Sequence, residues 1–264
     1  MAPTPLAWHV LVPVKDAATA KSRLDHPDRG PLFAAMTADV LEVGRAVVGA
    51  ERVVAVTDGG RGLDGDVLAA IAALPDPHSA VAVLMGDLPA VRPGELRAAL
   101  TAAAEHDRMV VADASGTGTA LLTARDGTLL TPSYGPGSRA RHAATGAVDT
   151  TDQAGPGLRR DVDTAADLEI AVALGVGPAA AAVLGVRAGA TAESFDPGTG
   201  SGTALTDAGE RLILPPGLVA AAGLRLLRPG QRLTAWIRAG SAVGIRVGPA
   251  RQPGVHQGDT SGTR

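Results

Sequence analysis

Leu11-Val-Pro-Val-Lys-Asp-Ala-Ala-Thr-Ala-Lys-Ser-Arg-Leu24 begins as a strand and ends as a polar loop, and that pairing decides the fold. Val10, Leu11, Val12 and Val14 are apolar almost without alternation, the pattern of a central strand covered on both faces. The loop that follows carries Lys15, Lys21 and Arg23. Of the 24 Lys and Arg residues in the chain, only Lys15 and Lys21 are lysines. A loop that keeps lysine in an otherwise arginine-using chain suits a compact ammonium on a flexible stem, a point charge for a phosphate. The plainer alternative is a solvated loop with coincidental lysines.

Outward from this loop, apolar runs and helical periods alternate. Pro31 to Val48 reads as a helix, with Leu32, Met36, Val40 and Val47 at helical spacing. Val53 to Val56 is a short strand running into Thr57-Asp58-Gly59-Gly60, and Leu63 to Leu74 a helix closed by Pro75 and Pro77. Val81 to Met85 is a buried strand leading into Gly86-Asp87-Leu88-Pro89, followed by a helix over Pro93 to His106. Met109 to Ala112 and Ala120 to Leu122 are strand-like, and Arg139 to Ala144 is a short helical patch. A further strand is expected from near Leu158 to Asp161-Val-Asp163. Thr164-Ala-Ala-Asp167 then opens a helix as a capping box, and Gly175 closes it. The pattern predicts a three-layer, Rossmann-like α/β domain with a mostly parallel sheet. Its ligand crevice lies outside the carboxyl ends of the strands.

The character changes near Gly185. Five short segments punctuated by Gly and Pro follow: Ala190–Phe195, Thr203–Thr206, Arg211–Leu214, Leu233–Ile237 and Val243–Val247. Asp207-Ala-Gly209 and Ala239-Gly-Ser241 read as hairpin turns, so a small all-β barrel is expected. The domains are therefore drawn at 1–186, 187–248 and a disordered tail over 249–264, which is Gly, Pro, Gln, Ser and Thr without periodicity.

Composition narrows the chemistry. Aromatics are only 2% of the 264 residues and the net charge is −3, so neither stacking platforms nor a positive field invite nucleic acid. With no cysteine, disulfides, thiolate metal sites and Cys nucleophiles are excluded. No stretch has membrane-spanning length and no basic leader precedes an apolar run, so a cytoplasmic protein with no membrane partner is expected. The sequence leaves the assembly open, a homodimer included.

Asp87 follows a buried strand and faces the crevice, where a carboxylate can hold a hard divalent cation against a phosphate. A turn-forming Asp before Leu-Pro is the bland reading. Asp161 and Asp163, two apart on the expected strand, share a face. Either could complete a two-carboxylate Mg²⁺ site, although Asp163 also suits the start of the helix that follows. The loop Tyr134-Gly135-Pro-Gly-Ser138 offers backbone N–H groups and a hydroxyl for a carboxylate or phosphate. Thr117 and Thr119 are weaker candidates, and His142 reads as structural. No nucleophile elbow, Walker loop or complete dinucleotide fingerprint is present. Lysines and acids without a nucleophile suit nucleotidyl transfer, which needs positioning and charge neutralisation.

Leu11-Val-Pro-Val-Lys15, Ala20-Lys-Ser-Arg-Leu24, Gly86-Asp-Leu-Pro89, Gly116-Thr-Gly-Thr-Ala-Leu-Leu122, Tyr134-Gly-Pro-Gly-Ser138 with His142, and Asp161-Val-Asp-Thr-Ala-Ala-Asp-Leu168 occur in a telling order. It resembles that of the phosphoenolpyruvate or 2-phospho-L-lactate guanylyltransferases of coenzyme F420 biosynthesis, over about Trp8 to Gly177. The resemblance implies a nucleotidyltransferase fold, GTP and phosphoenolpyruvate or 2-phospho-L-lactate as substrates, and Mg²⁺ as cofactor. It implies Lys21 on the α-phosphate with Lys15 and Arg23 assisting. Asp87 with Asp163 or Asp161 would be on the metal, and Thr119, Gly135 and Ser138 on the three-carbon acceptor. Two departures stand out: Gly62-Leu63-Asp64 where the family has Gly-Leu-Asn, and Gly118-Thr119-Ala120 where it has Gly-Thr-Asn. The last segment resembles a cold-shock-like or OB-type module lacking most of that module's exposed aromatics. Alternatives are another nucleotidyltransferase, with a molybdopterin or sugar-phosphate acceptor, or a degenerate transferase carrying a nucleic-acid-binding barrel.

Overall fold

The computed structural model describes residues 6–14, 24, 26, 28–222, 224–238 and 241–248. Lys15, Lys21 and Arg23, and the tail 249–264, lie outside the described residues. The chain forms two compact units, Met1–Val183 and Leu184–Arg264. Among the described residues, no helix is long and apolar enough to cross a membrane.

The first unit runs β1 (Trp8–Val14), α1 (Arg29–Val48), β2 (Val53–Thr57), α2 (Gly62–Ala72), β3 (Ala80–Leu84), α3 (Pro93–Ala103), β4 (Arg108–Ala112), β5 (Thr119–Ala124), α4 (Ser138–Ala144), β6 (Val148–Asp149), α5 (Pro156–Arg159), α6 (Ala165–Leu174) and α7 (Pro178–Leu184). Its sheet has the order β2-β1-β3-β5-β4-β6. β2, β1 and β3 are mutually parallel, as are β4 and β6, while β5 runs antiparallel to both its neighbours.

The unbroken apolar runs are explained by burial on both faces. Trp8, Val10, Val12, Ala82, Leu84 and Val111 pack with Val40 of α1 and Leu96 and Leu100 of α3. The alternate residues Leu11, Val81, Val83 and Val110 pack with Val67 and Ile71 of α2 on the opposite face. Three layers result, as the periodicity predicts. α6 opens on the expected capping box. The Thr164 hydroxyl accepts the Asp167 N–H at 3.2 Å, and the Asp167 carboxylate accepts the Thr164 N–H at 3.0 Å. Gly175 closes the helix. α7 is tied back to α1 by Asp39, whose buried carboxylate accepts the N–H groups of Ala179 and Ala180 at 2.9 and 2.8 Å.

The expected strand from Leu158 to Asp163 does not form. Pro156, with its φ preset for a first helical turn, instead starts the one-turn helix α5. The segment beyond it joins no sheet, its Val162 N–H going to the Asp87 carbonyl at 3.1 Å. The same-face argument for Asp161 and Asp163 therefore falls: Asp161 is half-buried and Asp163 exposed. The two-residue strand β6 completes the far edge of the sheet, a length too short to leave a periodic signal.

The second unit is a closed barrel of β7 (Val186–Asp196), β8 (Ser201–Thr206), β9 (Arg211–Leu214), β10 (Arg232–Arg238) and β11 (Ser241–Val247), in the order β10-β11-β9-β8-β7, with β10 pairing β7. A four-residue helix, α8 (Leu218–Ala221), connects β9 to β10. Small residues fill the narrow lumen: Ala190, Ala192, Ala204, Ala235 and Ala242 join Leu212, Leu214 and Leu233. Phe195 packs against this core, and the Trp236 indole lies over Gly244.

Candidate functional site

Because β5 runs against the sheet, its first residue lies at the edge where the parallel strands end. Thr119 pairs with Ala112 at the end of β4, and the Met85 N–H just past β3 reaches the Ala120 carbonyl at 3.0 Å. Asp87 after β3, Asp113 after β4, Thr119 and the 161–163 segment thus gather at one edge. β1 ends there too, at Val14.

The acids form one group. Asp87 is 9% exposed. Burial, then the charges of Asp87, Asp113 and Asp163, push the Asp161 carboxyl up to about 6. Such crowding of hard oxygen donors is the chemistry a divalent cation answers. Among the described residues, no three His, Cys, Asp or Glu side chains form a ready metal cluster. Asp113 also folds the loop before β5. One carboxylate oxygen accepts the Ser115 hydroxyl at 2.8 Å and the Thr117 N–H at 3.2 Å, and the other accepts the Gly118 N–H at 2.9 Å. Arg159 ties down the same turn through the Ala112 and Asp113 carbonyls.

The hydroxyls form a second group. Thr119 Oγ1 lies 3.0 Å from Ser138 Oγ and 2.9 Å from His142 Nδ1. All three residues are buried, at 7%, 2% and 0% exposure. The other ring nitrogen, Nε2, accepts the Ser133 N–H at 2.8 Å. Burial holds the imidazole pKa down at about 4, with Arg141 adding to the effect and Asp64 opposing it. Gly135 turns the loop at φ +107°, a conformation glycine adopts without strain, and its carbonyl accepts the Ser138 N–H at 3.0 Å. Arg141 staples the loop from below: its guanidinium donates to the carbonyls of Ser133, Tyr134 and Pro136. From α2, Asp64 accepts the Tyr134 N–H at 2.8 Å, and the Tyr134 ring meets His142 edge-on with centroids 5.1 Å apart.

The structure thus brings Thr119 and Ser138 into contact, sets Gly135 in the turn that leads into Ser138, and places Asp161 in electrostatic reach of both Asp87 and Asp163. Asp113 and Arg141 were not among the sequence candidates, neither was Asp64 in this bridging part, and His142 was read there as structural. Asp113 carried a local signal, an acid two residues before Ser-Gly in a turn. Arg141 reaches back only five to eight residues, His142 nine and 23, and Asp64 70, and no local sequence pattern names these partners.

No protein-family model matches the chain. Individual relatives do. A phosphoenolpyruvate guanylyltransferase of Frankia casuarinae is 40% identical over 268 residues, covering 84% of this chain and 92% of that protein. One of Geodermatophilus obscurus is 44% identical over 209 residues, covering 68% of this chain and 94% of that protein. Among solved structures, Rv0371c from Mycobacterium tuberculosis H37Rv covers 64% of this chain and 99% of that chain at 22% identity, with a TM-score of 0.40, too slight a likeness to place any residue. With relatives at this identity spanning most of its length, the chain belongs to the phosphoenolpyruvate guanylyltransferase family of enzymes.

Proposed function

We propose that this chain transfers GMP from GTP to phosphoenolpyruvate, or to its saturated analogue 2-phospho-L-lactate, releasing pyrophosphate, as a step toward coenzyme F420. The observation that carries this reading is the pair of buried hydroxyls, Thr119 and Ser138, 3.0 Å apart at the sheet edge that also holds Asp87. Together with Gly135 they offer a small polar group suited to a compact anion, at an edge that also holds carboxylates suited to a cation.

An oxygen of the acceptor phosphate forms the new bond to the α-phosphorus as the bond from that phosphorus to the β-bridging oxygen breaks. The electron pair leaves with pyrophosphate. The attacking oxygen is already deprotonated at neutral pH, so no general base is required. Lys21, with Lys15 and Arg23, meets the α-phosphate and the departing charge. In sequence they follow β1, whose last residue, Val14, lies at the same edge as the acids. Asp87, with Asp163 or Asp161, would hold Mg²⁺, which when bound supplies neutralisation of the phosphate charge. The barrel is proposed as an OB-type structural or regulatory appendage: its two aromatics of stacking size, Phe195 and Trp236, are engaged with the core and with Gly244.

The test is purified protein with Mg²⁺, each of the four NTPs, and phosphoenolpyruvate, 2-phospho-L-lactate, a sugar phosphate or molybdopterin. Pyrophosphate release is scored and products are resolved by mass. Release with GTP and a three-carbon phosphate acid is expected. Release only with another pair, or with none, overturns the reading.

A further inference from the structure

We propose that His142 is a positioning residue that sets the direction of the hydroxyl protons in the acceptor subsite. The inference rests on the reading above that Thr119 and Ser138 hold the acceptor acid.

The argument starts from a donor that cannot reverse. The Ser133 backbone N–H can only donate, and at 2.8 Å from His142 Nε2 it requires a bare lone pair there. The neutral ring then carries its single proton on Nδ1. That proton points at Thr119 Oγ1, 2.9 Å away, so the threonine hydroxyl must accept from the histidine. Its own proton remains to be donated, toward Ser138 Oγ at 3.0 Å or to an anion beside it. If it goes to Ser138, the serine proton passes on to the anion. Either way the chain Ser133 N–H, His142, Thr119, Ser138 delivers donors outward, each bond polarising the next.

The other tautomer would undo this. With Nδ1 bare, Thr119 would donate inward to the ring and Ser138 would donate to Thr119. The subsite would then offer lone pairs, not protons, to a carboxylate or phosphate. The surroundings hold the ring to its task. Tyr134 packs on it edge-on at 5.1 Å, and Arg141 fixes the Ser133 and Tyr134 carbonyls so that the Ser133 N–H keeps its aim. Among the described residues, the charged groups facing the ring are Asp64 and Arg141.

Two substitutions separate direction-setting from mere support. His142→Asn places an amide donor near the Nδ1 position, within reach of Thr119, and gives up the Ser133 acceptor. His142→Gln places its amide near Nε2, can still accept from Ser133, and gives up the donor to Thr119. With GTP, Mg²⁺ and phosphoenolpyruvate, His142→Gln is expected to raise the acceptor KM on the order of tenfold, the scale of one hydrogen bond to a charged group. The GTP KM is expected to stay unchanged, and His142→Asn to lie within about threefold of wild type. The reverse order, with Asn impaired and Gln near wild type, would make His142 a tether for the Ser133 loop and overturn the inference. Equal effects, or none, overturn it as well. Ser138→Ala tests the underlying subsite separately. An unchanged acceptor KM in that variant means the hydroxyls do not hold the acceptor, whatever the histidine variants do.

Discussion

Asp113 Oδ2 accepts the N–H of Gly118 at 2.9 Å and occupies the space a side chain there would need: a Cβ on Gly118 would lie 2.1 Å from it. The glycine and the carboxylate fit as one device, the carboxylate filling the space that only a glycine leaves. Together they deliver Thr119 to the first position of β5.

Gly118→Ala is therefore expected to expel the Asp113 carboxylate from its turn, costing about 1–3 kcal/mol and raising the acceptor KM. Asp113→Ala is expected to do much the same. The two effects do not add, because both remove the same bonds. A double-mutant cycle by chemical denaturation checks this, and full additivity would show that the loop is held by something else.

Asp39 makes a structural prediction far from the edge. Its buried carboxylate accepts two N–H groups at the start of α7, and replacing it with alanine strands both donors. Asp39→Ala is expected to cost about 2–4 kcal/mol. That corresponds to a fall in melting temperature of roughly 5–10 °C, while Asp39→Asn, which keeps one oxygen, loses about half as much. Calorimetry on the full chain measures it.

Stability carries two opposed pH dependences. Between the ordinary histidine value of 6.5 and about 4, the unfolded chain takes up a proton that buried His142 refuses. That contribution is present above pH 6.5 and lost as the pH falls to about 4. Asp161 runs the other way: between the ordinary 3.8 and about 6 the folded chain binds a proton that the unfolded chain releases. Its contribution is present below pH 3.8 and lost as the pH rises through 6. Asp161→Asn is thus expected to be more stable than wild type at pH 7 without divalent cations, with the advantage gone by about pH 4. Denaturation series in chelator at the two pH values decide it; equal stability at pH 7 would mean that neither burial nor the neighbouring acids raise the Asp161 carboxyl.

Asp87→Asn is expected to lower turnover by roughly 10²–10³-fold, the usual scale for loss of a charge-stabilising group. The far-ultraviolet circular dichroism and melting temperature are expected to hold. Near-normal turnover would remove Asp87 from the cation site.

What the sequence by itself determined is what local chemistry encodes. Apolar runs without alternation marked β1 and β3 as strands covered on both faces, and Thr164, Asp167 and Gly175 marked both ends of α6 through bonds that span one turn of chain. The five-strand barrel was legible for the same reason, Asp207-Ala-Gly209 marking the β8–β9 hairpin between short apolar segments, while Ala239 and Gly240 of the other expected turn lie outside the described residues. What only the tertiary structure decided depends on contacts between distant positions. The antiparallel sense of β5 puts Thr119 at the edge where the parallel strands end rather than the opposite one, yet no residue of Thr119–Ala124 states a direction. The stretch before Asp161 reads as a strand by composition, but Pro156 starts a helix and Asp87 claims the Val162 N–H. His142, which looks structural as an isolated histidine, gains its meaning from a backbone N–H nine residues away and a hydroxyl 23 residues away. Proton direction in a hydrogen-bond chain belongs to the set of partners, and folding is what assembles that set.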